Sequence, residues 1–74
     1  MKWKLWKYNG RYIQGDLISQ HTSEAAALKR AKKEIEYVKA VKDERPDEIV
    51  IWLDGEGGTP LGIITKSKKK KAKK

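Results

Sequence analysis

Six aromatic side chains are the residues best placed to do chemistry in this chain, and five of them fall on expected strands. Trp3, Trp6, Tyr8, Tyr12 and Trp52 fall in extended, β-prone stretches, and Lys2, Lys4, Lys7 and Arg11 are interleaved with the first four. Rings that stack on bases and cations that hold phosphates are the parts of a nucleic-acid platform. The plain alternative is ordinary strand composition, since Trp and Tyr favour sheets and Lys protects exposed edges. A second cationic feature lies at the end of the chain. Residues 66–74 read KSKKKKAKK and contain seven of the eighteen Lys and Arg. The remaining eleven face ten acids, so most of the net charge of +8 is a polycation appended to a near-neutral body. Such a run repels itself, is expected to be disordered, and neutralises phosphates without reading sequence. A solubilising terminus and a contact with acidic lipid are the competing readings of the same lysines.

Catalytic chemistry finds little to work with. The single histidine, His21, lies just before a helix start, and no second histidine stands at ligand spacing, so a zinc site is not expected. Asp47, Asp54 and Glu56 occur around strand ends, where turn-forming acids are common. Gly55-Glu56-Gly57-Gly58 superficially resembles a phosphate cradle, but the Lys-Ser/Thr and helix of a P-loop do not follow it. With no cysteine there is no disulfide framework, thiolate metal site or thiol nucleophile, and a reducing, cytoplasmic setting is expected. An enzyme, a cofactor and a small-molecule substrate are not expected. No apolar run approaches the roughly 18 residues of a membrane span, and no apolar stretch of signal-peptide type follows the first lysines.

The elements that must position the rings follow from pattern. Residues 2–8 and 11–18 are two extended runs around Asn9-Gly10, the pair favoured by a two-residue type I′ hairpin. That loop would set Trp6 opposite Ile13. One face would carry Lys2, Lys4, Trp6, Tyr8, Arg11, Ile13 and Leu17, the other Trp3, Leu5, Lys7, Tyr12, Gln14, Asp16 and Ile18. Both faces have apolar bulk, and Gly15 could mark a bulge that exchanges them. Thr22 or Ser23 can cap a helix expected over 23–43, with Leu28, Ala31, Ile35 and Val38 on one side and Pro46 behind its end. Arg30–Glu34 and Lys32–Glu36 are its i,i+4 pairs. Residues 48–53 form a strand with Ile49, Ile51 and Leu53 on one side and Val50 and Trp52 on the other. A glycine-rich turn over 54–60 leads to a last strand over 61–65.

The expected fold is α+β, β-β-α-β-β, with one amphipathic helix on one face of a small antiparallel or mixed sheet. Residues 1–65 are one two-layer domain and 66–74 a disordered lysine-rich tail. Ile49, Ile51, Leu53, Leu28, Ile35 and Val38 would supply most of a core adequate for this size. Asn9-Gly10-Arg11-Tyr12, followed by Thr22-Ser23-Glu24-Ala25-Ala26, resembles the arm-binding N-terminal domains of phage-type integrases. The resemblance covers about half the chain. It implies a sheet placed in the DNA major groove, backed by a helix, with Arg11, Tyr12 and the first-strand lysines facing the groove. That family has three strands before the helix, where two are expected here.

The partner expected is therefore nucleic acid, duplex DNA ahead of RNA. The contact set is Lys2, Lys4, Trp6, Tyr8, Arg11 and Trp52, joined by Lys68, Lys69, Lys70, Lys71, Lys73 and Lys74 of the tail. A protein partner on an exposed aromatic face or sheet edge is the alternative.

Overall fold

The computed structural model describes residues 2–12 and 14–68. Ile13 and the tail lysines Lys69, Lys70, Lys71, Lys73 and Lys74 lie outside the described residues. Five strands, β1 (Trp3–Lys7), β2 (Asp16–His21), β3 (Lys39–Glu44), β4 (Glu48–Asp54) and β5 (Pro60–Ser67), form one antiparallel sheet in the order β2-β1-β5-β4-β3. One helix, α1 (Glu24–Ile35), joins β2 to β3 and packs over β1, β2 and β5. The α+β, two-layer arrangement is thus the expected one, with the β-β-α-β-β order extended by one further strand.

The extra strand replaces the second half of the expected helix. Ser23 caps α1, its Oγ accepting the Ala26 N–H at 3.2 Å, and Glu24 follows in the first turn. Arg30 and Glu34 pair at 2.9 Å, as expected. The helix then stops at Ile35 instead of continuing to 43. Glu36 turns left-handed (φ 58°, ψ 45°), and its N–H returns to the Lys32 carbonyl at 3.2 Å. Lys32 does not pair with Glu36; its Nζ donates to the Tyr37 carbonyl at 2.8 Å and lies over the Tyr37 ring. Beyond this stop, Lys39–Glu44 pairs residue for residue with Asp54–Ile49 of β4. Helical propensity in this lysine- and glutamate-rich stretch is overridden by the backbone groups that β4 would otherwise leave unpaired. Val38, expected in the core, is 64% exposed in the link. Pro46 sits in the β3–β4 turn, which the Arg45 N–H closes on the Glu48 carbonyl at 2.8 Å.

The first hairpin is present, but eight residues, 8–15, connect its strands. Asn9 and Gly10 shape a turn inside that loop. Asn9 Oδ1 accepts the N–H groups of Arg11 at 3.0 Å and Tyr12 at 2.9 Å, and Gly10 takes φ 91°. The loop is pinched at Gly15, where a Cβ would stand 2.5 Å from the Lys7 carbonyl oxygen. Lys7 therefore faces Asp16, and Trp6 faces Leu17 instead of Ile13. The bulge falls at Ile18, between the Leu5–Ser19 and Trp6–Leu17 pairs, and not at Gly15.

The main core lies between sheet and helix. Trp3, Leu5, Ile49, Ile51, Leu53 and Ile64 meet Ala27 and Ala31, whose small side chains let the helix axis approach the sheet. Ile18, Leu28, Ile35 and Tyr37 close its margins. At about 1.5–3 kcal/mol for each large apolar side chain, this cluster dominates the folding energy. The last strand also outlasts its expected end. Lys66 and Ser67 belong to β5, and the Lys68 N–H reaches the Asp47 carbonyl at 2.9 Å.

Candidate nucleic-acid interface

The sheet face away from α1 is built in rows that cross the strands. The pairings Leu17–Trp6, Trp6–Ile63, Ile63–Trp52 and Trp52–Val41 join all five strands in one apolar row. The neighbouring row reads Gln20, Lys4, Thr65, Val50 and Asp43. Strand alternation puts Trp6 and Trp52 on this face and Trp3 on the other, where Lys66 Nζ stands 5.0 Å from its ring centroid.

No helix covers this face, yet Ile63 and Val50 are only 5% and 4% exposed. The two indoles flanking Ile63 shield it, and both remain half-buried themselves. Trp6 is fixed by its Nε1–H, which donates to Thr65 Oγ1 at 2.9 Å. Two hollows open beside the rings. One, of about 290 Å³, is lined by Lys2, Lys4, Trp6, Gln14, Glu48, Thr65 and Ser67. The other, of about 180 Å³, holds Trp52, Ile63 and Val50 together with Arg45. Gln14, Glu48 and Thr65 border both, so the 8–15 loop reaches back across the sheet through Gln14. The Gln14 side chain makes no hydrogen bond to another described residue.

Charge is unevenly shared across the face. Lys2 and Lys4 have no acid partner among the described residues. Arg45 is engaged by two, Asp43 Oδ2 at 3.0 Å and Glu48 Oε2 at 3.5 Å. The β1 side is therefore cationic and the β3–β4 side close to balanced.

Of the residues expected to act together, Lys2, Lys4 and Trp6 gather at the first hollow and Trp52 lines the second. Tyr8 and Arg11 do not join them; both are exposed in the loop, where the Tyr8 N–H is held by the Leu61 carbonyl at 2.9 Å. Tyr12 is 63% exposed in the same loop. Lys68 is turned to Glu44 at 3.4 Å, away from the hollows. Gln14, Thr65 and Arg45 join the site without having been expected there. A two-residue loop would place Gln14 on the opposite face, because it imposes the other register. Thr65 and Arg45 carry no signal until the strand order is known.

A third hollow, about 670 Å³, is a shallow trough on the flank of α1 lined by Ala25, Leu28, Lys29, Lys32, Lys33 and Tyr37. It contains none of the expected contact residues and encloses nothing. Among the described residues no three His, Asp or Glu side chains could jointly hold a metal ion, and no helix is long and apolar enough to cross a membrane. Compared with protein-family models, curated proteins and solved structures, the chain matches none. The resemblance to integrase arm-binding domains accordingly rests on its own quoted residues.

Proposed function

We propose that this protein binds nucleic acid through the sheet face that α1 leaves uncovered. The observation that carries the proposal is the meeting of Trp6 at one hollow with Lys2 and Lys4, which have no acid partner among the described residues, with Trp52 two strands away. Phosphates would be held by Lys2 and Lys4 and by Arg11 of the loop. Lys68, Lys69, Lys70, Lys71, Lys73 and Lys74 would add affinity without discrimination, and the protein would work in the cytoplasm. Binding of this kind releases counterions, so its affinity falls steeply with salt.

The test is a titration of oligonucleotide at several salt concentrations, with the whole chain and with a variant ending at Lys68. Truncation after Lys68 keeps β5 whole. If the five removed lysines each hold a phosphate, the log–log salt slope flattens by about 3–4 units at roughly 0.7 per phosphate. An unchanged slope removes the tail from the interface, and no binding at low salt refutes the proposal.

A protein partner is the second reading, and one observation favours it. The apolar row ends at both sheet edges in exposed side chains, Leu17 at 44% and Val41 at 40%. Binding through that row would be weakly dependent on salt.

A further inference from the structure

We infer that the uncovered face takes single-stranded nucleic acid, its unpaired bases lying against Trp6 and Trp52. The inference rests on the nucleic-acid reading above and narrows its ligand. Width is the first argument. Four strand spacings of about 4.8 Å give a five-stranded sheet a face roughly 19 Å across. The major groove of B-DNA is about 12 Å wide. Three strands, at about 10 Å, would fit such a groove face-on, but five do not. The rings cannot reach base edges inside a duplex from the middle of this face.

An unpaired strand meets no such barrier. Trp6 on β1 and Trp52 on β4 are separated by β5 alone, about 9.6 Å at ordinary strand spacing. Each ring walls its own hollow, and Gln14 stands between the hollows. A base has two π-faces for the indoles and polar edges for an amide. The Gln14 amide, without a hydrogen bond to any other described residue, has donors and an acceptor to offer those edges. Lys2 and Lys4 border the Trp6 hollow and are free to meet the backbone between bases. Glu48 borders both hollows, but Arg45 holds it at 3.5 Å.

The deciding experiment compares three fluorescein-labelled probes of one mixed sequence, a 12-nucleotide DNA strand, the matching RNA strand and the DNA duplex. Binding to the whole chain is followed by anisotropy at fixed salt. At least one single strand is expected to bind about tenfold or more tighter than the duplex. Trp6→Leu and Trp52→Leu keep apolar bulk but remove the ring, and each should weaken single-strand binding by about 5- to 100-fold. Gln14→Ala removes an exposed amide without disturbing the fold and should weaken single-strand binding by a smaller factor. It keeps the test decisive if a tryptophan variant fails to fold in a thermal melt. Duplex bound as tightly as both single strands overturns the inference and leaves nucleic-acid binding standing, as does single-strand binding indifferent to Gln14 and the indoles. Failure of all three probes to bind overturns the nucleic-acid reading itself.

Discussion

On the helix side of the sheet, Leu5, Leu53 and Ile64 are fully buried beneath two alanines of α1. On the other side Ile63 and Val50 are 5% and 4% exposed beneath two half-buried indoles and a glutamine. The burial is nearly equal, but the covers differ in kind. Ala27 and Ala31 present methyl groups on a rigid element and leave no polar atom facing the core. Trp6, Trp52 and Gln14 present ring faces and an amide, groups that pack when alone and can also serve a ligand. One sheet thus has a face closed for folding and a face closed provisionally.

The largest test of this contrast is truncation on the closed side. Leu53→Ala leaves a void beneath α1 that the paired strands cannot collapse to fill, and about 2–5 kcal/mol of stability should be lost. Urea melts measure this loss directly. The matching change on the other face, Trp52→Leu, should cost about 1–2 kcal/mol, because the ring is half-exposed and an apolar side chain remains over Ile63. If Trp52→Leu costs as much as Leu53→Ala, the second face serves folding as fully as the first, and the contrast between them fails.

Gly15→Ala comes next in size and tests how the open face receives its glutamine. A Cβ at position 15 would meet the Lys7 carbonyl oxygen at 2.5 Å and the Asn9 backbone nitrogen at 2.8 Å. Neither is the end of a flexible side chain, so the loop must shift, at a cost of roughly 1–3 kcal/mol. Because the same pinch carries Gln14 over the hollows, the substitution should also weaken oligonucleotide binding. Stability lost with binding intact would separate the loop from the site. Ser23→Ala is smaller and confined to the closed side: loss of the cap on α1 should cost about 1 kcal/mol by thermal melt and leave binding unaltered.

How much of this is legible in the chain differs between the two faces. Alternation alone separates Ile49, Ile51 and Leu53 from Val50 and Trp52, and Trp3 and Leu5 from Lys4 and Trp6, because period two is a property of any strand whatever it pairs with. The helix start is readable from Ser23 and the alanines that follow. Its end is not, because residues 39–44 satisfy helix propensity, and only pairing with β4 makes them a strand. The first loop departs from expectation for a similar reason. Asn9-Gly10 does turn the chain, but the register is set by which residues of β2 can reach Trp6 and Leu5, a tertiary matter. The site inherits both differences: Gln14 follows from the loop and Arg45 from the added strand, while Trp6, Trp52, Lys2 and Lys4 need only alternation.

The smallest effect on stability falls at Arg45, and there the two faces part most cleanly. Its side chain is 44% exposed and holds Asp43 and Glu48, whose side chains are 44% and 40% exposed. Solvent screens such pairs, so Arg45→Ala should change the melt by less than about 0.5 kcal/mol. Binding should respond more. Without Arg45 both carboxylates lose their cation, Asp43 opposite Val50 and Glu48 at the border of both hollows, the one with Trp52 and the one with Lys2 and Lys4. A phosphate approaching the face then meets two added repulsions. Oligonucleotide affinity should fall several-fold at about 50 mM salt and recover toward the parent value as the Debye length shrinks below about 10 Å. Restoring a cation with Arg45→Lys should recover most of that loss, since the need is for charge and not for a bidentate fork. If Arg45→Ala leaves affinity unchanged at low salt, the β4 half of the face takes no part in binding, and the site contracts to Trp6, Lys2 and Lys4.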